Sequence, residues 1–153
     1  RSSDLEPEPA SSLHFTPLAM DRFLAVVPRD CPLAQKEQVS WRELLKLDFI
    51  TLQRPSAVRI MLEERLSRSG HKLEVAFESH QLVTVGRMVA SGLGASAVPA
   101  LCEKQMIELG AVCVPLINPV IERRVGIIRL DHAQLSTAAQ ALLNTLRAAY
   151  DVS

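Results

Sequence analysis

The chain has 153 residues, 48% hydrophobic and 22% charged, with 17 basic and 17 acidic side chains. That balance excludes a disordered chain, and a formal net charge of zero leaves no electrostatic footprint for nucleic acid in this segment. No run approaches the roughly 18 consecutive apolar residues of a transmembrane helix.

The first twelve residues, rich in Ser, Pro and acids, read as an exposed lead-in. Leu13–Leu18 alternates over a short range, and Phe23–Val27 is a continuous apolar run ending at Pro28, as expected of a strand covered on both faces in a parallel sheet. Ser40 and Glu43 form a capping box that opens a short helix to about Lys46. Phe49–Leu52 is the next strand, and Ser56 caps a helix that Gly70 stops. Val58, Met61, Leu62 and Leu66 make its apolar stripe, with Arg59, Glu63, Glu64 and Arg68 opposite. Leu73–Phe77 is a strand. Ser79 starts a helix with Leu82, Val85 and Val89 at helical spacing, ended by Gly92. Ala95–Val98, a helix from about Ala100 to Leu109, strands at Val112–Leu116 and Val125–Leu130, and a helix from Ser136 burying Ala139, Leu142, Leu143 and Leu146 complete the order.

Strands alternating with helices imply an α/β fold with a mostly parallel sheet. Turns from strand C-termini into helix N-termini gather on one edge, where ligands usually bind. Two turns have that form, Thr51–Ser56 and Glu78–Gln81, and both are expected to be capped.

Chemistry-bearing patterns are sparse. Gly92–Ala97 matches GxGxxA, but a helix precedes it and a strand follows, the reverse of a dinucleotide-binding loop, so a helix C-cap is expected. Asp131, His132 and Ser136 lie too close in sequence for triad geometry, and no GxSxG or SxxK motif is present. His14, His71 and His80 lack metal-ligand spacing; His80 falls beside the second turn, where a solvated or hydrogen-bonded ring is the default. Cys31, Cys102 and Cys113 are odd in number and form no CxxC pair, so neither zinc nor a disulfide framework is expected, and a reducing, cytoplasmic compartment is favoured. No cofactor is called for. For Thr51–Ser56 two readings stand: an anion cradle of helix-start amides, the Ser56 hydroxyl and the Arg54 guanidinium, or a capped loop with Arg54 in solvent.

Arg22–Ala34 (RFLAVVPRDCPLA), Phe49–Leu52, Arg87–Pro99 (RMVASGLGASAVP), Gly110–Leu116 and Leu135–Leu143, taken in order, resemble the effector-binding domain of LysR-type transcriptional regulators over nearly all of 13–150. The resemblance implies a periplasmic-binding-protein-like (type 2) α/β fold with two Rossmann-like lobes, the first only partly present. It places residues 1–20 as lead-in and crossing strand of lobe I, 21–113 as lobe II, and 114–153 as the return into lobe I with its closing helix. It also implies a small-molecule inducer in the cleft, homodimers or tetramers with Leu73–Ser91 against another subunit, and DNA contact through an N-terminal domain outside this sequence. By position, Thr51, Gln53, Arg54, Pro55 and Ser56, with Ser79 and Gln81, face that cleft. Arg54 departs from the small residues or proline often found there and favours an anionic ligand. Rival expectations are a transport solute-binding protein and an enzyme on the same fold; the latter needs an acid–base pair or nucleophile that does not stand out.

Overall fold

The computed structural model describes residues 13–130 and 135–150. The chain divides into two compact units: Asp21–Glu122, and the flanking stretches 1–20 with 123–153.

The 21–122 unit is built on the C-terminal part of β1 (Leu13–Val27) with β2 (Val39–Ser40), β3 (Phe49–Leu52), β4 (Val75–Ser79), β5 (Ser96–Pro99) and β6 (Val112–Ile117). Its continuous ladder runs β2-β6-β1-β5. β1 is antiparallel to both neighbours, Phe23 facing Pro99 and Leu24 facing Pro115. β2 is parallel to β6, and β3 is parallel to β4. The β3–β4 pair joins the ladder through a parallel bridge between Phe49 and Ala95, closed by Ile50 N–H to Ala95 O at 2.8 Å and Ala95 N–H to Asp48 O at 2.9 Å. The sheet is therefore mostly parallel, with β1 reversed among the described strands. The apolar run at Phe23–Val27 signalled burial rather than direction: this strand, expected in a parallel setting, is central, covered on both faces and antiparallel.

Two-residue periodicity sorts the side chains into two cores. Phe23, Ala25 and Val27 join Phe49, Trp41, Leu44, Leu62 and Leu66 on one face, whereas Val26 joins Ile50, Val85, Val89, Val98 and Met106 on the other. The helices that cover these faces are α1 (Trp41–Leu44), α2 (Ala57–Arg68), α3 (Leu82–Ala90) and α4 (Glu103–Glu108). α1 carries the expected capping box, with Ser40 Oγ accepting from Glu43 N–H and Glu43 accepting from Ser40 N–H. Lys36 and Ser40 N–H both donate to the Glu43 carboxylate, lowering its pKa to about 2. α4 is shorter than expected because Ala100–Cys102 winds as a 3-10 turn.

Gly92 has φ +90 and closes α3, with its N–H donating to Val89 O, so the C-cap reading of the GxGxxA match holds. Gly94 has a different reason to be glycine. A Cβ there would stand 2.3 Å from Asp48 O, at the bridge that joins β3 to the ladder.

β6 pairs with β1 and β2 inside the 21–122 unit. In the other unit, β7 (Glu122–Leu130) pairs with β1, and Gly126 packs where a Cβ would lie 2.4 Å from Thr16 O. Its helix α5 (Thr137–Tyr150) is capped by Ser136, whose Oγ accepts from Ala139 N–H at 3.1 Å. Leu143 is buried as expected, but Leu142 is 60% exposed, because one side of an exposed helix cannot bury both neighbours. Asp131 and His132 lie outside the described residues.

Candidate functional site

Because β2, β3, β4, β5 and β6 run the same way, their C-terminal ends share one edge of the 21–122 sheet. Two strand-to-helix turns leave it side by side: β3 into α2, and β4 into α3. Parallel pairing sets Thr51 beside Glu78 and Leu52 beside Ser79. One step on, Gln53 N–H donates to Ser79 O at 2.9 Å, and Gln53 Nε2 lies 3.0 Å from His80 Nδ1. The turns expected to share an edge are thus hydrogen-bonded to each other.

The sequence-derived residues occupy distinct places. Thr51 is buried within β3, whereas Gln53, Arg54 and Pro55 are exposed in the turn. Ser56 is the N-cap of α2, its Oγ accepting from Arg59 N–H at 3.4 Å. The positive end of the α2 dipole therefore opens at this turn. The second turn differs from expectation. Ser79 is the last residue of β4 rather than the start of a helix; Gln81 is the N-cap, and its side chain caps nothing. Ser79 Oγ instead accepts from Gln81 N–H at 3.3 Å, a local turn that competes with a cap.

Arg54 is exposed, with 64% of its side chain accessible, and its guanidinium is paired with Glu63. Its Nη2 meets Glu63 Oε2 at 2.6 Å and its Nε meets Glu63 Oε1 at 3.3 Å, a two-point contact from the turn to the middle of α2. That hydrogen bonding, then the Glu63 charge, raises the Arg54 pKa beyond its already high value. Arg59 was expected on the polar face of α2 but is 8% exposed, and Glu78 of β4 pairs with its Nη1. Arg59 Nε lies 3.7 Å from Glu63 Oε2 and makes no hydrogen bond. A groove of about 880 Å³ runs between α2 and β4, lined by Arg54, Arg59, Glu63 and Glu78 together with His71 and Lys72.

Sequence reasoning missed Glu63 and Glu78 as partners of this turn. The Arg59–Glu63 spacing of four was visible, but the reach from Arg54 to Glu63 depends on how the turn folds back on α2. Among the described residues no group of three or more His, Cys, Asp or Glu could hold a metal ion. Burial raises the pKa of Cys113 to about 12, so its thiol is neutral at physiological pH.

A sheet with one reversed strand, helices on both faces and paired turns at its C-terminal edge is an α/β architecture of the type 2 periplasmic-binding-protein-like class. The chain superposes on HinK, a LysR family transcriptional regulator of Pseudomonas aeruginosa, with a TM-score of 0.76 at 25% identity, covering 95% of this chain and 51% of that one. The regulatory domain of Synechocystis CcmR in complex with 2-PG gives a TM-score of 0.75 at 23% identity, covering 95% and 70%, a likeness of fold.

The chain belongs to the LysR substrate binding domain family, which matches residues 4–151. It is 38% identical over 130 residues to YbhD, an HTH-type transcriptional regulator of Escherichia coli K12, covering 85% of this chain and 41% of that protein. It is 29% identical over 142 residues to a probable RuBisCO transcriptional regulator of Trichormus variabilis, covering 90% and 42%. The chain thus spans about two fifths of the length of these relatives.

Proposed function

We propose that this chain is the inducer-sensing part of a cytoplasmic LysR-type transcription regulator that binds a small anionic molecule without turning it over. In this reading the 21–122 unit is most of lobe II, and residues 1–20 and 123–153 belong to lobe I. The observation that carries it is the pair of tied turns at one sheet edge, Gln53 to Ser79 and His80, in a chain of this family. A carboxylate or phosphate placed there meets the α2 N-terminus, the Ser56 hydroxyl and Arg54, with Thr51, Gln53 and Pro55 shaping the first wall and Ser79 and Gln81 the second. Each is a donor or a rigid surface, and none forms an acid–base pair with a nucleophile, which supports sensing over catalysis. CcmR with 2-PG and QuiR with shikimate illustrate that this fold accepts small molecules.

Inducer binding then biases the population of lobe arrangements, and a homodimer or tetramer transmits that bias to an N-terminal DNA-binding domain. The Leu73–Ser91 stretch is proposed for the subunit contact. β4 pairs only with β3 among the described strands, and exposes Ala76, Phe77 and Glu78, as a strand that seeks a neighbour does. Thermal-shift screening of the full chain against small carboxylates and phosphates, followed by calorimetry, tests the reading. Arg54→Ala is expected to weaken the best ligand several-fold while leaving the fold intact. Unchanged affinity in both Arg54→Ala and Ser56→Ala overturns the site, and product formation from the ligand overturns the sensing role.

A further inference from the structure

We propose that Glu63 is a specificity-determining residue of this site, an internal anion that competes with the ligand for Arg54 and withdraws to Arg59 when the ligand wins. The inference rests on the reading above, that the 51–56 turn receives an anion.

Arg54 is the cation nearest the turn, yet both described contacts of its guanidinium go to Glu63. An incoming carboxylate or phosphate must therefore displace a carboxylate that is tethered and already in place. Displacement is easier if Glu63, whose side chain is 27% exposed at the groove, passes to a second cation rather than to water alone. The structure supplies the second berth. Arg59 is nine-tenths buried, its Nε has no hydrogen-bond partner, and it stands 3.7 Å from the same Glu63 Oε2 that Arg54 holds at 2.6 Å. Movement of the Glu63 carboxylate away from Arg54 and toward Arg59 Nε exchanges one guanidinium partner for the other. Glu78, paired with Arg59 Nη1, keeps the buried cation neutralised in either state.

Glu63 thereby sets a threshold. A neutral ligand gains nothing from Arg54 and does not disturb the pair, whereas an anion must outcompete a carboxylate, so only ligands that also use the helix start and Ser56 succeed. Glu63 thus weakens every anion that takes Arg54 by a common factor and leaves neutral ligands unaffected, which sets the balance between the two classes.

Calorimetry on the full chain with benzoate and inorganic phosphate as probes, and benzamide as the neutral control, tests this. Glu63→Gln is expected to tighten benzoate and phosphate by about three- to tenfold, the range between an exposed and a charge-assisted contact. Benzamide should not change, and the gain should shrink with added salt. Arg54→Ala in the Glu63→Gln background is expected to abolish the gain. Arg59→Lys, which keeps the charge but removes the Nε–H, should weaken both anions. Glu63→Ser provides a second neutral variant, and melting curves confirm that each is folded. Equal affinity of wild type and Glu63→Gln for both anions, including no measurable binding by either, overturns the proposal, as does a gain that survives Arg54→Ala. Binding weakened by Ser56→Ala but unmoved by Glu63→Gln overturns Glu63 and leaves the turn; binding tightened by Glu63→Gln but unmoved by Ser56→Ala and Gln53→Ala overturns the turn.

Discussion

The 21–122 unit contains two regions of different construction. The β2-β6-β1-β5 ladder is continuous, and Phe23–Val27 at its heart is buried throughout. The β3–β4 pair hangs from that ladder by the Phe49–Ala95 bridge, and its outer strand is mostly exposed. The candidate site, the ion-pair network and the groove between α2 and β4 all belong to the second region. Scaffold and sensor are thus separated within one sheet. The ladder supplies stability, and the loosely joined pair supplies chemistry, in line with the tendency of binding elements to be drawn from the less stable end of a fold.

The comparison breaks most readily in the ladder. Phe23→Ala removes a side chain that is 1% exposed, with an expected cost of about 4 kcal/mol, read as a lowered denaturant midpoint and faster amide exchange throughout the unit. Gly94→Ala is expected to cost about 3 kcal/mol, because the obstacle to the new Cβ is the backbone oxygen of Asp48 and not a flexible side chain. Its exchange signature should differ: β3 and β4 amides lose protection while β1, β5 and β6 retain it. Uniform loss would mean that the two regions unfold as one. Ser56→Ala, a lost N-cap, is expected to cost about 1 kcal/mol, with fraying confined to the start of α2.

The smallest effect lies at α1 and concerns pH. Glu43 is lowered from 4.5 to about 2 by Lys36 and the Ser40 N–H, so its contribution is complete above pH 4.5 and disappears as pH falls through about 2. Glu43→Gln should flatten that part of the acid limb of a pH–stability curve, without altering the exchange contrast between the two regions.

Much of this was legible in the residues. The order of strands and helices followed from periodicity, and the caps at Ser40 and Ser56 followed from local spacing, because both signals are local. The shared edge of the two turns followed from the alternation of strands and helices. What escaped was set by tertiary packing. Strand direction in the ladder is not encoded in an apolar run, and buried Arg59 is paired with Glu78, nineteen residues further along the chain. The capture of Arg54 by Glu63 joins residues nine apart that no helical spacing brings together. At Ser79 the serine was read as a helix start, but its hydroxyl serves a local turn, and sequence alone does not separate the two uses.

Trp41 is the single tryptophan of the chain, fully buried, with its indole Nε1 donating to Pro119 O at 3.0 Å. Indole emission, blue while Trp41 stays sealed and red once water reaches it, reports the 21–122 unit alone, so the melting of that unit can be followed optically without attaching any label.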